Sequence, residues 1–184
     1  MATVKEVVSS YQQYLGVKYQ GHSQRFEKRL KHGSESAKAE AVVFSLLRAR
    51  GFTVEVAEDL DEALPPVLAD PNRLEQVFVN LLINARDAIE QKAEQSGRKG
   101  ETKRITLKTR AEDGAVTIEV TDTGTGIPEA LLDRIFEPFF TTKKVGKGTG
   151  LGLSISYGIV QDYDGTIKVE SKEGEGATFI IRFP

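Results

Sequence analysis

Ile105-Thr-Leu-Lys-Thr-Arg-Ala-Glu-Asp-Gly-Ala-Val-Thr-Ile-Glu-Val-Thr-Asp-Thr-Gly-Thr-Gly-Ile-Pro128 is the stretch from which the fold can be read. Ile105 to Arg110 and Val116 to Thr121 alternate apolar and polar residues, the period of a strand with one buried face. Asp113-Gly114 between them is a dipeptide suited to a tight type I′ turn, whose two central residues both need positive φ. An antiparallel hairpin follows. Directly after its second strand comes Asp122-Thr-Gly-Thr-Gly-Ile-Pro128. A glycine loop at a strand end has two readings. It can be a turn and nothing more. It can also be a pocket floor, where a carboxylate accepts a hydrogen bond from an exocyclic amine and Gly124 and Gly126 let a flat ring approach the backbone.

Working toward the N-terminus, Asp70-Pro71 opens a helix, with Asp70 as N-cap and Pro71 in the first helical position. Its periodicity runs through Leu74, Val77, Phe78, Leu81, Ala85 and Ala88, then fades into the polar stretch Gln91 to Gly100, which reads as a surface loop. Further upstream, Ala37 to Arg50 is a helix ended by Gly51, and Phe52 to Ala57 is a strand. Toward the C-terminus, Ile127 to Phe136 is a turn and short helix begun at Pro128, and Thr141 to Gly150 is a Gly-, Lys- and Thr-rich mobile loop. Leu151 to Asp162 is a helix. Thr166 to Ser171 and Ala177 to Phe183 form a closing hairpin through Glu173-Gly174. This order predicts an α+β two-layer sandwich, a mixed five-stranded sheet with helices packed on one face. Residues 1–36 carry no such pattern: Val4 to Leu15 has helical character, but Gly16, Gly21 and Gly33 interrupt anything longer. The expected division is an N-terminal segment, 1–36, and a domain, 37–184.

The chain has 184 residues, 39% hydrophobic and 28% charged, the composition of an ordinary globular protein with one good core. A net charge of -2 gives no positive field to attract nucleic acid. There is no cysteine, which excludes disulfides and thiolate metal sites. The two histidines, His22 and His32, are too few for an ordinary zinc site. No apolar run approaches the roughly 20 residues that cross a bilayer, and Met1 to Ser10 lacks the basic start and apolar stretch of a signal peptide. A cytoplasmic location without membrane contact is the default expectation.

Two further groups of residues bear on chemistry. Asn80, Asn84 and Asp87 fall within an arc of roughly 60° on the helix, beside its apolar stripe. Three short polar side chains at the edge of a buried face need partners. They either bond neighbouring backbone or form a site for a hard cation and phosphates, since amide and carboxylate oxygens suit magnesium. Gly146-Lys-Gly-Thr-Gly-Leu-Gly152 leads straight into a helix, where free N–H groups and the positive dipole end attract phosphate. It is not a P-loop: Thr141 stands where the first glycine belongs, and Gly148 rather than Ser or Thr follows Lys147. Nor is it a dinucleotide fingerprint, because Leu153 takes the third glycine's place after Gly148 and Gly150.

Asn80-Leu-Leu-Ile-Asn84-Ala-Arg-Asp87-Ala, Asp122-Thr-Gly-Thr-Gly, Ile135-Phe-Glu-Pro-Phe-Phe-Thr-Thr-Lys143 and Gly148-Thr-Gly-Leu-Gly-Leu-Ser154 resemble, in order, the N, G1, F and G2 boxes of sensor histidine kinases. Gly174-x-Gly176-Ala-Thr178-Phe179 resembles that family's closing strand, and the likeness covers about Arg48 to Pro184. The wider superfamily includes gyrase, Hsp90 and MutL ATPases, and the Phe-Glu-Pro-Phe-Phe-Thr-Thr-Lys form resembles the nitrogen-regulator type. The resemblance implies a Bergerat-type ATP-binding fold, with ATP and Mg2+ as ligands. Asn84 would coordinate magnesium with Asn80 alongside, and Asp87 would lie in the same site. Asp122 would receive the adenine amine, supported through water by Thr178, with Gly124 and Gly126 as the pocket wall. Lys143 and Lys147 would reach the phosphates, and Gly148, Thr149, Gly150, Leu151 and Gly152 would close over them. Phe136, Phe139 and Phe140 would dock or release this lid, although Phe136 reads equally as core.

The resemblance also has gaps. The family's phospho-accepting histidine usually sits in a His-Glu-x-x-x-Pro context, and neither His22-Ser-Gln-Arg-Phe nor His32-Gly-Ser-Glu-Ser matches. The acceptor is therefore expected on a separate dimerisation hairpin, and through it a response regulator. Either Val4 to Leu15 or Ala37 to Arg50 resembles the domain's first helix, the second being preferred. The competing function is an ATP-hydrolysing clamp. Hydrolysing relatives carry a glutamate general base at the position of Asn80, and an amide cannot take water's proton.

Overall fold

A computed structural model describes residues 55–60, 65, 67–96, 103–143 and 148–184. The order of elements is β1 (Glu55–Leu60), α1 (Pro71–Ser96), β2 (Arg104–Glu112), β3 (Ala115–Asp122), α2 (Gly152–Gln161), β4 (Thr166–Lys172) and β5 (Gly176–Phe183). They build one five-stranded sheet in the order β1-β2-β3-β5-β4. β1 runs parallel to β2, and every other neighbouring pair is antiparallel. The expected mixed sheet is present. Ala37 to Arg50 and the 1–36 boundary lie outside the described residues.

The alternation read in the sequence becomes the two faces of this sheet. In β3, Val116 and Val120 are buried with Asp122, and in β5 Ala177, Phe179, Ile181 and Phe183 are buried. The regular register Val116↔Phe183 to Asp122↔Ala177 puts these side chains on one face. Onto that face α1 lays Val77, Leu81, Ala85 and Ile89, a stripe four residues apart, with Leu82 beside it. α1 packs against α2 and against β2, β3 and β5. α2 adds Ile159 and Val160. Burying a large aliphatic or aromatic side chain in such a layer stabilises the fold by about 1.5–3 kcal/mol.

Local chemistry sets the ends. Asp70 Oδ1 accepts from the N–H groups of Asn72 (2.8 Å) and Arg73 (3.3 Å), the N-cap expected ahead of Pro71. Asp113 and Gly114 take φ of 52° and 76°, as the tight hairpin turn requires. One expectation fails. Gln91 to Ser96 is not loop but the last turns of α1. Its residues are good helix formers, and Lys92 Nζ donates to Thr123 O at 3.1 Å, tying that end of the helix to the glycine loop after β3. Polar composition concealed the helix because so little of this segment faces the core. The short helix expected from Pro128 is a single 3-10 turn, Glu129–Leu131. No helix among the described residues is long and apolar enough to cross a membrane.

Candidate functional site

The polar edge of α1 is where the helices meet. Asn80 Nδ2 donates to Gly152 O at 3.0 Å and to Ser156 Oγ at 3.2 Å, and the Ser156 hydroxyl in turn donates to Gly152 O at 2.9 Å. Ser156 is fully buried. The acceptor Gly152 O fixes which way the Asn80 amide points. Its nitrogen is committed to holding the first turn of α2, so this asparagine joins the two helices through its N–H donors.

One turn further along α1, Asn84 and Asp87 hold a cation. The Lys143 ammonium donates to Asn84 Oδ1 at 3.1 Å and to Asp87 Oδ2 at 2.7 Å. The other Asp87 oxygen, Oδ1, accepts from Arg86 Nε (2.8 Å) and Nη2 (2.5 Å). Burial works against the Asp87 charge, but bonds and charges from Lys143 and Arg86 outweigh it and hold the carboxyl below the ordinary aspartate range. An amide oxygen and a carboxylate oxygen presented together to one positive charge are the donor set of a hard cation. The residues fit a magnesium ion completed by phosphate oxygens. No trio of His, Cys, Asp or Glu capable of holding a metal occurs among the described residues, so a metal here depends on ligand oxygens.

Asp122 ends β3 on the helix-facing side of the sheet, only 5% exposed. Burial pushes its carboxyl up to about 6, against the bonds from the Gly124 and Ala177 N–H groups and the charge of Lys92. Gly124 N–H donates to Asp122 Oδ1 at 2.7 Å. The loop that follows is clamped on two sides. Thr125 N donates to Ala88 O of α1 at 3.2 Å, and Gly174 N of the β4–β5 turn donates to Thr125 O at 2.6 Å. A Cβ on Gly124 would lie 2.5 Å from Ala88 Cβ, and one on Gly126 (φ 66°) would lie 2.1 Å from Lys172 O. The close approaches these glycines permit are therefore to the protein's own helix and hairpin.

The segment before α2 closes on itself. Phe139 N donates to Gly150 O at 2.9 Å, and a Cβ on Gly150 would sit 2.4 Å from the Phe139 carbonyl carbon. A Cβ on Gly148 would meet Thr141 Oγ1 at 2.7 Å and Lys143 Cβ at 3.1 Å. The arm carrying Lys143 thus lies along the arm carrying Gly148 and Gly150. Thr149 Oγ1 accepts from Leu151 N at 3.3 Å. α2 then starts at Gly152 with Leu151 in the N-cap position and no side-chain cap, leaving first-turn N–H donors to solvent or a ligand. Lys147 lies outside the described residues.

Asn80, Asn84, Asp87, Lys143 and Gly152 are brought together, and Asp122, Gly124 and Gly126 form a second cluster joined to the same helix at Ala88. Thr178 does not join Asp122. Its hydroxyl pairs with Thr121 Oγ1 at 3.0 Å, and the register Thr121↔Thr178, one step from Asp122↔Ala177, puts both threonines on the opposite face of the sheet. Ala177 occupies the place beside the carboxylate, so the water-bridging role expected of Thr178 does not fit. Phe136 is half-buried, 5.4 Å from the Tyr157 ring and edge-on to Phe179 at 6.5 Å. Phe140 lies under Arg134 at 4.6 Å, and Phe139, 74% exposed, adopts φ 66°. The sequence reading missed Arg86, Lys92 and Ser156. Lys92 follows Ala88 by one helical turn, and that spacing was the only signal available for it.

Residues 69–184 match the model of the histidine kinase-, DNA gyrase B-, and HSP90-like ATPase family. The chain is 46% identical over 154 residues to the sensor kinase CckA of Brucella abortus, covering 76% of this chain and 15% of the relative. It is 45% identical over 137 residues to the sensor histidine kinase ZraS of Escherichia coli, covering 74% of this chain and 27% of the relative. The catalytic domain of histidine kinase ThkA superposes with a TM-score of 0.66 at 33% identity, over 82% of this chain and 93% of that one. The chain therefore spans only a small part of these curated relatives.

Proposed function

Because this chain belongs to the histidine kinase-, DNA gyrase B-, and HSP90-like ATPase family, as the ATP-binding catalytic domain of a sensor histidine kinase, we propose that it binds Mg2+·ATP between α1 and α2 and transfers the γ-phosphoryl group to a histidine carried on a separate dimerisation hairpin, from which a response regulator is phosphorylated. The single observation that carries the reading is the Lys143 ammonium held by Asn84 Oδ1 and Asp87 Oδ2 close to the uncapped start of α2. Oxygens suited to a cation and helix N–H groups suited to phosphate support phosphoryl transfer by positioning and electrostatics.

In this reading Asn84, with Asn80 alongside, faces the magnesium, which when bound neutralises phosphate charge. Lys143 and Lys147 supply further positive charge. Backbone from Gly148 through Thr149, Gly150 and Leu151 to Gly152 surrounds the phosphates, and Asp87 steadies the cations. Asp122 accepts the adenine amine, with Gly124 and Gly126 shaping the loop beside it. Hydrolysis is disfavoured because the Asn80 amide is no base and its nitrogen is already committed to α2. Use of ATP places the domain in the cytoplasm. Calorimetry with an ATP analogue, with Mg2+ and with EDTA, tests the site. Asn84→Ala should abolish the magnesium dependence of affinity, and a variant that responds to magnesium like the parent would put the metal elsewhere.

A further inference from the structure

The Lys143 ammonium occupies the very oxygens, Asn84 Oδ1 and Asp87 Oδ2, that a divalent cation would use. We propose that Lys143 is a tethered counter-cation: it fills the cation subsite of the nucleotide-free domain and competes with the divalent ion, which enters only as Lys143 turns away toward phosphate oxygens. The proposal deepens the nucleotide-site reading and rests on it. Three observations carry it.

The first is the chemistry of the donors. A carboxylate oxygen beside an amide oxygen in a partly buried site attracts a cation even with Arg86 on the carboxylate's other oxygen. Arg86 satisfies Asp87 Oδ1 only, and Lys143 takes Oδ2. The second is how Lys143 is held. Its stem lies where a Cβ on Gly148 would meet it at 3.1 and 3.2 Å, so the glycine leaves room for the lysine to lie across the base of the segment. Its head reaches α1, where it bonds Asn84 and Asp87. The third is exclusion. An ion on Asn84 Oδ1 and Asp87 Oδ2 would need the oxygens the ammonium already holds, and the two positive charges would repel across a partly buried site. The lysine leaves when phosphate oxygens offer its charge a new partner, so cation and nucleotide enter together and neither is favoured alone.

The test is divalent binding without nucleotide, read on the 15N-labelled chain by Mn2+ line broadening of the Asn84 side-chain amide and of backbone amides 84–88. Paramagnetic broadening detects even weak occupancy. Lys143→Met should broaden these signals at a Mn2+ concentration at least tenfold lower than the unsubstituted chain needs. Lys143→Arg keeps a cation in place and should stay close to the unsubstituted chain. Adding Asp87→Asn to Lys143→Met should erase the gain. Core amides such as Val120 and Ile181 report the fold in each variant, and Lys143→Gln replaces Lys143→Met if that variant's core signals collapse. An unchanged Mn2+ dose in the neutral variant overturns the competition, as does a gain that survives Asp87→Asn. The nucleotide reading fails separately: absence of any ADP binding to the unsubstituted chain removes the nucleotide and not the competition.

Discussion

Asp122 combines two demands that pull against each other. It is 5% exposed, and burial raises its pKa to about 6, above the ordinary aspartate value of about 3.9. Between these values the folded chain binds more protons than the unfolded one, so stability falls as pH rises from about 4 to about 6 and is level above. A rise of that size is worth roughly 2–3 kcal/mol. Asp122→Asn should flatten this slope in urea denaturation of the nucleotide-free domain at pH 4.5 and 7.5; a slope that persists means another group titrates. The same ionisation should govern adenine recognition, since only the carboxylate is a full acceptor. Nucleotide affinity at pH 5 should be roughly tenfold below its value at pH 7.5, the fraction of Asp122 still ionised. Asp122→Asn should be weaker by roughly 1–3 kcal/mol at neutral pH and lack the step. Equal affinity in the variant would remove the adenine assignment.

At the scale of elements, the glycines of the loop after β3 and the glycine inside α2 predict opposite outcomes. Gly126 has φ 66°, and any Cβ there meets Lys172 O at 2.1 Å. The loop is fixed between Ala88 and the β4–β5 turn, so neither side can give way cheaply. Gly126→Ala should cost more than about 2 kcal/mol. Gly158, inside α2, has nothing within 4 Å of its Cβ position. Gly158→Ala should stabilise the domain by about 0.5–1 kcal/mol, because alanine loses less backbone freedom in a helix. Thermal denaturation of both variants checks the pair, and a stable Gly126→Ala would mean that the clamp yields. At the N-terminus of α1, Asp70→Ala should cost about 1 kcal/mol through the two N–H groups it leaves unbonded.

At the scale of the whole molecule, none of the described residues is a histidine, and His22 and His32 both lie upstream of them. Neither has the acidic neighbour and proline of a phospho-accepting site, and in-line transfer needs an acceptor placed to within fractions of an ångström. The isolated chain should take up no acid-labile label from radiolabelled ATP, while an added histidine-bearing hairpin should become labelled. Autophosphorylation that disappears in His22→Gln or His32→Gln would instead place the acceptor within this chain.

Periodicity was enough for the hairpin, the two helices and the closing strands, because a period of two or of 3.6 is a local property that burial of one face imposes on the residues themselves. The resemblance of the four boxes likewise pointed to one candidate site, and Asn80, Asn84, Asp87, Lys143 and Gly152 from them do come together. Polar composition misplaced the end of α1, which a bond from Lys92 to Thr123 O ties to the loop after β3. Thr178 was misjudged because its face depends on the pairing register with β3, which neighbours in sequence do not reveal. The same limit hid the use of Asn80 as a strut to Gly152, and of Lys143 as the cation between Asn84 and Asp87. Local pattern was enough to say which elements form and which residue types to look at. Their partners came from the packing, because hydrogen bonds and ion pairs spanning 31 to 72 residues are set by how helices and strands meet.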